Sequence, residues 1–218
     1  QGADEKKQPP PTSKGRTYDA LARADVNRLA VRLNLPLYWI ADDNGNHRID
    51  PGEVASPLFY PTADVWVQGG KLTPAFDAAY DQIQSASKAP APTDARLALI
   101  AQDLDGGRPT LVRSDLTALS ADDKAFVGHM MKVAQLVDAL YERQNGATAL
   151  AGQVAKDDPS SQSAFRRNRG PACVTPATEK DPACSAIAGA PKPTVDVYPA
   201  ELQANKTFCA DLSARPDA

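Results

Sequence analysis

The chain has 218 residues, 42% of them hydrophobic, which is enough for a buried core in one large domain or two small ones. Its 24 basic and 27 acidic residues are mixed along the sequence and give a net charge of −3, which argues against nucleic acid or an anionic membrane surface as a partner. No stretch approaches the roughly 20 consecutive apolar residues of a membrane-spanning helix, so we expect no transmembrane segment.

The first 16 residues, QGADEKKQPPPTSKGR, are polar and rich in proline, and they predict a disordered tether. A spacer of this kind remains when an export signal is removed, although an artificially shortened chain would begin in the same way. We therefore expect an exported protein, periplasmic, cell-surface or secreted. A lipid attached at the N-terminus is compatible with this interpretation.

Residues 17–167 are predicted to form a helical domain. RADVNRLAVRLN indicates a short first helix, and LTPAFDAAYDQIQSAS a second with Thr73 as N-cap and Pro74 at its first position. After the linker KAPAP, Thr93 is expected to cap a third helix in DARLALIAQDL. Strand signals are sparse, and ADVWVQGG is the best candidate. The predicted fold class is mainly α, with few short strands.

The segment LSADDKAFVGHMMKVAQLVDALYERQNG is the strongest helix prediction. Ser120 is the expected N-cap, with Asp123 three residues later, and Gly146 can take the left-handed conformation at the C-terminal end. Apolar side chains form a stripe along one face, which we expect to be the centre of the core. The stripe consists of Phe126, Met130, Val133, Val137, Leu140 and Tyr141.

Residues 168–218 form a Pro- and Cys-rich extension that can supply little core of its own and that we expect to lead into a further domain. It holds the three cysteines of the chain, and we predict a disulfide between Cys173 and Cys184, with Cys209 left over. No CxxC pair or neighbouring His is present, so zinc is not expected. The ending LSARPDA carries no helix-stop signal, which favours the front part of a longer protein.

Residues 41–54, ADDNGNHRIDPGEV, carry the densest set of polar side chains. With Asp42 at position 1, Glu53 falls at position 12, as in the 12-residue calcium loop of an EF-hand. Such a loop supplies side-chain oxygens at positions 1, 3, 5 and 12, a backbone carbonyl at 7 and a direct or water-linked ligand at 9. The predicted ligands of one Ca²⁺ are Asp42, Asn44, Asn46, the carbonyl of Arg48, Asp50 and Glu53.

One residue of this loop departs from the EF-hand pattern, and one alternative interpretation explains part of the loop without calcium. His47 stands at position 6, where glycine is usual, but His is among the residues that tolerate a left-handed backbone. The alternative is that DPGE only starts a helix, with Asp50 as N-cap and Glu53 completing a capping box, as the second helix of an EF-hand also begins. With few acidic ligands, the expected dissociation constant is in the weak, extracellular range of roughly 10⁻⁴–10⁻³ M. Ile49, at position 8, should turn inward.

A second calcium loop is at best degenerate. DLDGGRPTLVRSD offers Asp103, Asp105 and Asp115, but Pro109 stands where a carbonyl ligand belongs and Asp115 falls one position late. A turn between two helices is the alternative interpretation. Catalytic motifs such as HExxH, GxSxG and the P-loop are missing, and His129 has no second ligand at helical spacing, so no active site is predicted.

The long helix LSADDKAFVGHMMKVAQLVDALYERQNG resembles a segment of the N-terminal lobe of bacterial dipeptidyl peptidase III enzymes, where a helix opens with Leu-Ser, has a Lys shortly after and ends at Gln-Asn. The resemblance covers about 30 residues, or about 50 with the preceding DLDGGRPTLVRSDLTAL. It implies a two-lobed zinc metallopeptidase that removes dipeptides from peptide N-termini. Its zinc-binding HExxxH helix has no counterpart here, so no catalytic residue is carried over.

Two functions follow as expectations. One is an exported calcium-binding helical protein that forms the non-catalytic front portion of a dipeptidyl peptidase III-like enzyme. The other is a standalone EF-hand-like module with a structural or protein-interaction role and no chemistry. The expected partners are calcium and either the remainder of a longer chain or another protein.

Overall fold

The computed structural model describes residues 15–58, 60, 64–190 and 204–215. Helices dominate this part of the chain and the strands are short, so the predicted mainly α fold is confirmed. The predicted tether falls mostly outside the described residues. The helices are α1 Arg23–Arg32, α2 Pro74–Lys88, α3 Ala95–Asp105, α4 Ala121–Gln144, α5 Ala147–Leu150, α6 Pro159–Asn168 and α7 Phe208–Ser213.

Two antiparallel strand pairs complete the fold. β1, Tyr38–Trp39, pairs with β2, Val54–Ala55, and β3, Val67–Gln68, pairs with β4, Lys71–Leu72. The second pair lies at the predicted strand ADVWVQGG but is only two residues long on each side. Its turn, Gly69 and Gly70, has φ values of 56° and 71°, which glycine adopts without steric cost and which suit a tight hairpin.

The first core cluster joins α1, α2 and the strand segments. α1 buries Val26, Leu29 and Ala30 in this cluster. α2 contributes Phe76, Tyr80 and Ile83, each at most 1% exposed. The hydroxyl of Thr73 accepts a hydrogen bond from the backbone N–H of Phe76 at 3.3 Å, so the predicted N-cap of α2 is confirmed. Two tryptophans, Trp39 and Trp66, close the cluster.

The second core cluster joins α3, α6 and the C-terminal extension. The predicted disulfide between Cys173 and Cys184 is present, both cysteines are buried, and Cys209 is free and exposed. Cys173 and Cys184 pack with Ile100 and Leu104 of α3. The first part of the extension is therefore packed against the helices rather than separate from them. The predicted cap of α3 is wrong by one residue, because Asp94 rather than Thr93 accepts from the N–H of Leu97.

Asp103 of α3 fastens the disulfide loop to the helix. Its side chain is 0% exposed, and its Oδ1 accepts hydrogen bonds from the Thr178 hydroxyl at 2.6 Å and from the N–H groups of Val174 and Thr175. Its Oδ2 pairs with the guanidinium of Arg167. Burial raises the pKa of Asp103, but the hydrogen bonds outweigh it and leave the pKa below its ordinary value. The buried charge is therefore fully compensated.

The long helix α4 does not form the centre of the core. Ser120 caps it as predicted, accepting from the N–H of Asp123 at 3.1 Å, and Gly146 is left-handed with φ 71°. No residue of α4 is buried, however, and its apolar stripe is exposed. The prediction of a central helix was wrong because amphipathic spacing shows that a face is apolar but not what covers it.

Among the described residues, no helix combines the length and the apolar character that crossing a membrane requires.

Candidate calcium site

The predicted loop, residues 42–53, lies between two paired strands rather than between two helices. β1 precedes it, a single 3-10 turn at Pro51–Glu53 ends it, and β2 follows at once. The N–H of Ile40 donates to the carbonyl of Glu53 at 2.7 Å, which closes the loop at its base. The expectation that DPGE starts the second helix of an EF-hand was therefore wrong, although the predicted capping box does form.

The backbone of the loop takes the left-handed turns that a calcium loop needs. Gly45 has φ 67° and His47 has φ 59°. His47 therefore adopts the left-handed conformation predicted for position 6. The N–H of His47 donates to Oδ2 of Asp42 at 3.1 Å, which folds the middle of the loop back onto its first residue. The imidazole Nδ1 lies 3.2 Å from the same carboxylate and is exposed.

Ile49 anchors the loop to the first core cluster, as expected for position 8. Its side chain is 2% exposed, and its N–H donates to the carbonyl of Tyr18 at 3.1 Å. The backbone of Tyr18 thus bonds to a loop residue whose side chain is buried in the first core cluster. Nearby, the guanidinium of Arg48 lies 3.5 Å from the carboxylate of Asp19. These contacts hold positions 7 and 8 of the loop against the body of the protein.

Glu53, at position 12, is buried and joins the two ends of the loop. Its Oε1 accepts from the N–H of Asp43 at 2.9 Å, and its Oε2 accepts from the N–H of Asp50 and from the indole N–H of Trp39, both at 3.2 Å. The side chain is 4% exposed. These bonds satisfy the carboxylate and orient it, and they place both oxygens at the base of the loop.

The side chains at positions 3, 5 and 9 converge. The amide Nδ2 of Asn44 and that of Asn46 donate to the same oxygen of Asp50, at 2.7 and 2.8 Å. Their amide oxygens instead accept from backbone N–H groups two residues on, those of Asn46 and Arg48. Three of the predicted ligands are thus gathered at one point, with the amide nitrogens rather than the oxygens facing the carboxylate.

Asp42, at position 1, has an oxygen with no partner. Its Oδ1 is buried and makes no hydrogen bond to any described residue, although the side chain as a whole is 19% exposed. A buried carboxylate oxygen left without a partner costs free energy, so such atoms are rare in folded proteins. The carboxylate borders a depression of about 420 Å³ whose lining includes Arg23, Trp39 and His47.

The second, degenerate loop does not assemble. Asp103 is inside α3 and bonded to the disulfide loop, Asp105 pairs with Arg28 and Arg32, and Asp115 accepts from Thr117. The three carboxylates have separate partners. The prediction of a turn between two helices describes this segment better than a metal loop does.

In the part of the chain described, no three side chains of His, Cys, Asp or Glu come together in a way that could hold a metal ion. The predicted donor set contains three carboxylates, those of Asp42, Asp50 and Glu53, which do not form such a group here. Its other members are two amides and a backbone carbonyl, both of which calcium accepts. Sequence reasoning missed Trp39, Asp43 and Tyr18, which orient Glu53 and Ile49. Two of them contribute backbone groups, which no side-chain pattern reveals.

No family model, no curated protein and no solved structure matches this chain.

Proposed function

We propose that residues 42–53 bind one Ca²⁺ ion and that the chain is an exported helical protein in which this ion has a structural role. The observation that carries the proposal is the buried, unpartnered Oδ1 of Asp42 in a loop with calcium spacing. The alternative, a helix start, explains the positions of Asp50 and Glu53. It does not explain why an oxygen of Asp42 is buried without a hydrogen-bond partner. Calcium would satisfy that oxygen.

The proposed ligands are the six that the spacing predicts. Asp42, Asp50 and Glu53 supply the negative charge, and Asn44 and Asn46 would turn their amide groups so that oxygen rather than nitrogen faces the ion. The carbonyl of Arg48 completes the set. With three acidic side chains, binding should be weak, with a dissociation constant of roughly 10⁻⁴–10⁻³ M, which suits calcium levels outside the cell.

Calcium should raise the melting temperature of the wild-type protein, because an ion bound only by the native state adds about 2.7 kcal/mol at 100 times its dissociation constant. Asp42→Asn should abolish this rise. This substitution removes the negative charge and replaces the unpartnered Oδ1 by an amide nitrogen. The remaining side-chain oxygen can still accept from the N–H of His47. In chelator, the variant should therefore melt close to the wild type, as differential scanning calorimetry can measure.

The matched control is Asp43→Asn, which makes the same charge change at position 2, where an EF-hand loop takes no ligand. Asp43 is exposed and only its backbone N–H contacts Glu53, so calcium should stabilise this variant as it does the wild type. Glu53→Gln is a poorer test, because it puts an NH₂ group against N–H donors. Equal responses of the two Asn variants to calcium would argue against the site.

A second proposal assigns the chain to the front portion of a dipeptidyl peptidase III-like metallopeptidase, in which the calcium loop stiffens a non-catalytic lobe. Its support is the resemblance of the α4 segment, residues 119–146. A standalone module is the alternative. Gene sequence downstream of codon 218 distinguishes them, because an HExxxH-coding stretch favours the peptidase and an immediate stop codon favours the module.

A further inference from the structure

Helix α4 exposes a continuous apolar face. Seven large hydrophobic residues on this one helix are between 47% and 70% exposed. A soluble protein rarely leaves such a contiguous face uncovered, and faces of this kind mark binding surfaces. The face consists of Phe126, Met130, Val133, Leu136, Val137, Leu140 and Tyr141.

The spacing of these residues is that of a helix that pairs with another helix. Phe126, Met130, Val133, Val137 and Leu140 follow one another at intervals of four, three, four and three residues. This is the heptad pattern whose apolar positions form the seam of a coiled coil. The 24-residue helix is about 36 Å long, so the seam extends over much of its length.

The opposite side of α4 is fastened to the body of the protein. The guanidinium of Arg169 pairs with Asp138 and with Glu142, the latter at 2.7 Å. On a helical projection, these two carboxylates lie roughly 140° from the centre of the apolar face. The ion pairs therefore hold the polar side inward, and the seam points away from the rest of the described chain.

The charges on α4 favour a second copy of the same helix in antiparallel orientation. Asp122 and Asp123 lie in its first turn and Arg143 in its last, all three exposed. Asp122 and Arg143 make no ion pair with any other residue that the structure describes. A parallel copy would bring like charges together at both ends, whereas an antiparallel copy brings Asp122 near Arg143 of its partner. A membrane is disfavoured because the polar side is not basic.

We propose that the chain forms a homodimer through the apolar face of α4, with the two helices antiparallel. The heptad seams pack against each other, and the acidic first turn of each helix lies against the basic last turn of the other. Val133, at the middle of the seam, is buried in this dimer. The inference does not depend on calcium binding.

Analytical ultracentrifugation of the 218-residue chain should show a concentration-dependent dimer in calcium or in chelator. Val133→Glu should leave a monomer, because it places a charge at the centre of the seam. Gln135→Glu, on the side of α4 away from the seam, is the matched control and should still dimerise. Both positions are exposed, so circular dichroism should show wild-type folding in each variant.

Charge reversal tests the orientation. Asp122→Arg alone and Arg143→Asp alone should each weaken the dimer about tenfold by opposing like charges at both ends. The double variant should restore it, because each Arg again faces an Asp. A wild type that stays monomeric at every accessible concentration, a dimer that survives Val133→Glu, or a double variant no stronger than the single ones would overturn the proposal. So would monomers that bind lipid vesicles through this face.

Discussion

Asp103→Ala is expected to lower the free energy of unfolding by about 3–5 kcal/mol, the cost of removing one partner from a buried, charge-compensated network. The variant leaves the hydroxyl of Thr178 and the N–H groups of Val174 and Thr175 without their acceptor, and it leaves the guanidinium of Arg167 without its carboxylate. Urea unfolding monitored by circular dichroism measures the change.

Asp105→Ala is the control, two residues further along α3. Asp105 pairs with Arg28 and Arg32, but its side chain is 28% exposed, so its loss should cost about 1 kcal/mol or less. Equal costs for the two variants would show that Asp103 is not the residue that fastens the extension to α3.

Replacement of both Cys173 and Cys184 by alanine is expected to lower the free energy of unfolding by about 3 kcal/mol. The disulfide closes a loop between residues 11 apart in sequence, and its loss gives the unfolded chain more conformational freedom. Alanine avoids placing a hydroxyl among Ile100, Leu104 and the other residues of the second core cluster. Urea unfolding under non-reducing conditions measures the difference.

Cys209→Ala is the matched control, since Cys209 is exposed and has no disulfide partner among the described residues, and it should unfold like the wild type. Reductant should bring the wild type down to the level of the double variant and leave the double variant unchanged. A double variant as stable as the wild type would mean that the disulfide loop contributes nothing to the fold.

Local sequence signals predicted local structure well. Thr73 and Ser120 cap their helices because a hydroxyl at that position satisfies a free N–H of the first turn, whatever lies elsewhere. The left-handed backbone at His47 and the inward position of Ile49 follow from the spacing of the loop in the same way. The disulfide was predictable because the cysteines are few and two lie close together.

Long-range packing was not predictable from the sequence. The hydrogen bond from Thr178 to Asp103 joins residues 75 apart in sequence, and no local pattern near either residue predicts this contact. The strands that flank residues 42–53, the predicted calcium loop, are only two residues long, too short to give a periodic signal. The apolar stripe of α4 predicted the helix correctly but not what packs against it. We expected other parts of this chain to bury the stripe, and none of the described residues does so.

Equilibrium dialysis against calcium tests whether residues 42–53 bind the ion. We expect saturable binding of one Ca²⁺ per chain, half-saturated at roughly 10⁻⁴–10⁻³ M, lost in Asp42→Asn and kept in Asp43→Asn. Absence of saturable binding by the wild type through the millimolar range, or binding that Asp42→Asn leaves intact, would contradict this expectation. Residues 42–53 would then be only a connection between β1 and β2 that ends in the 3-10 turn at Pro51–Glu53.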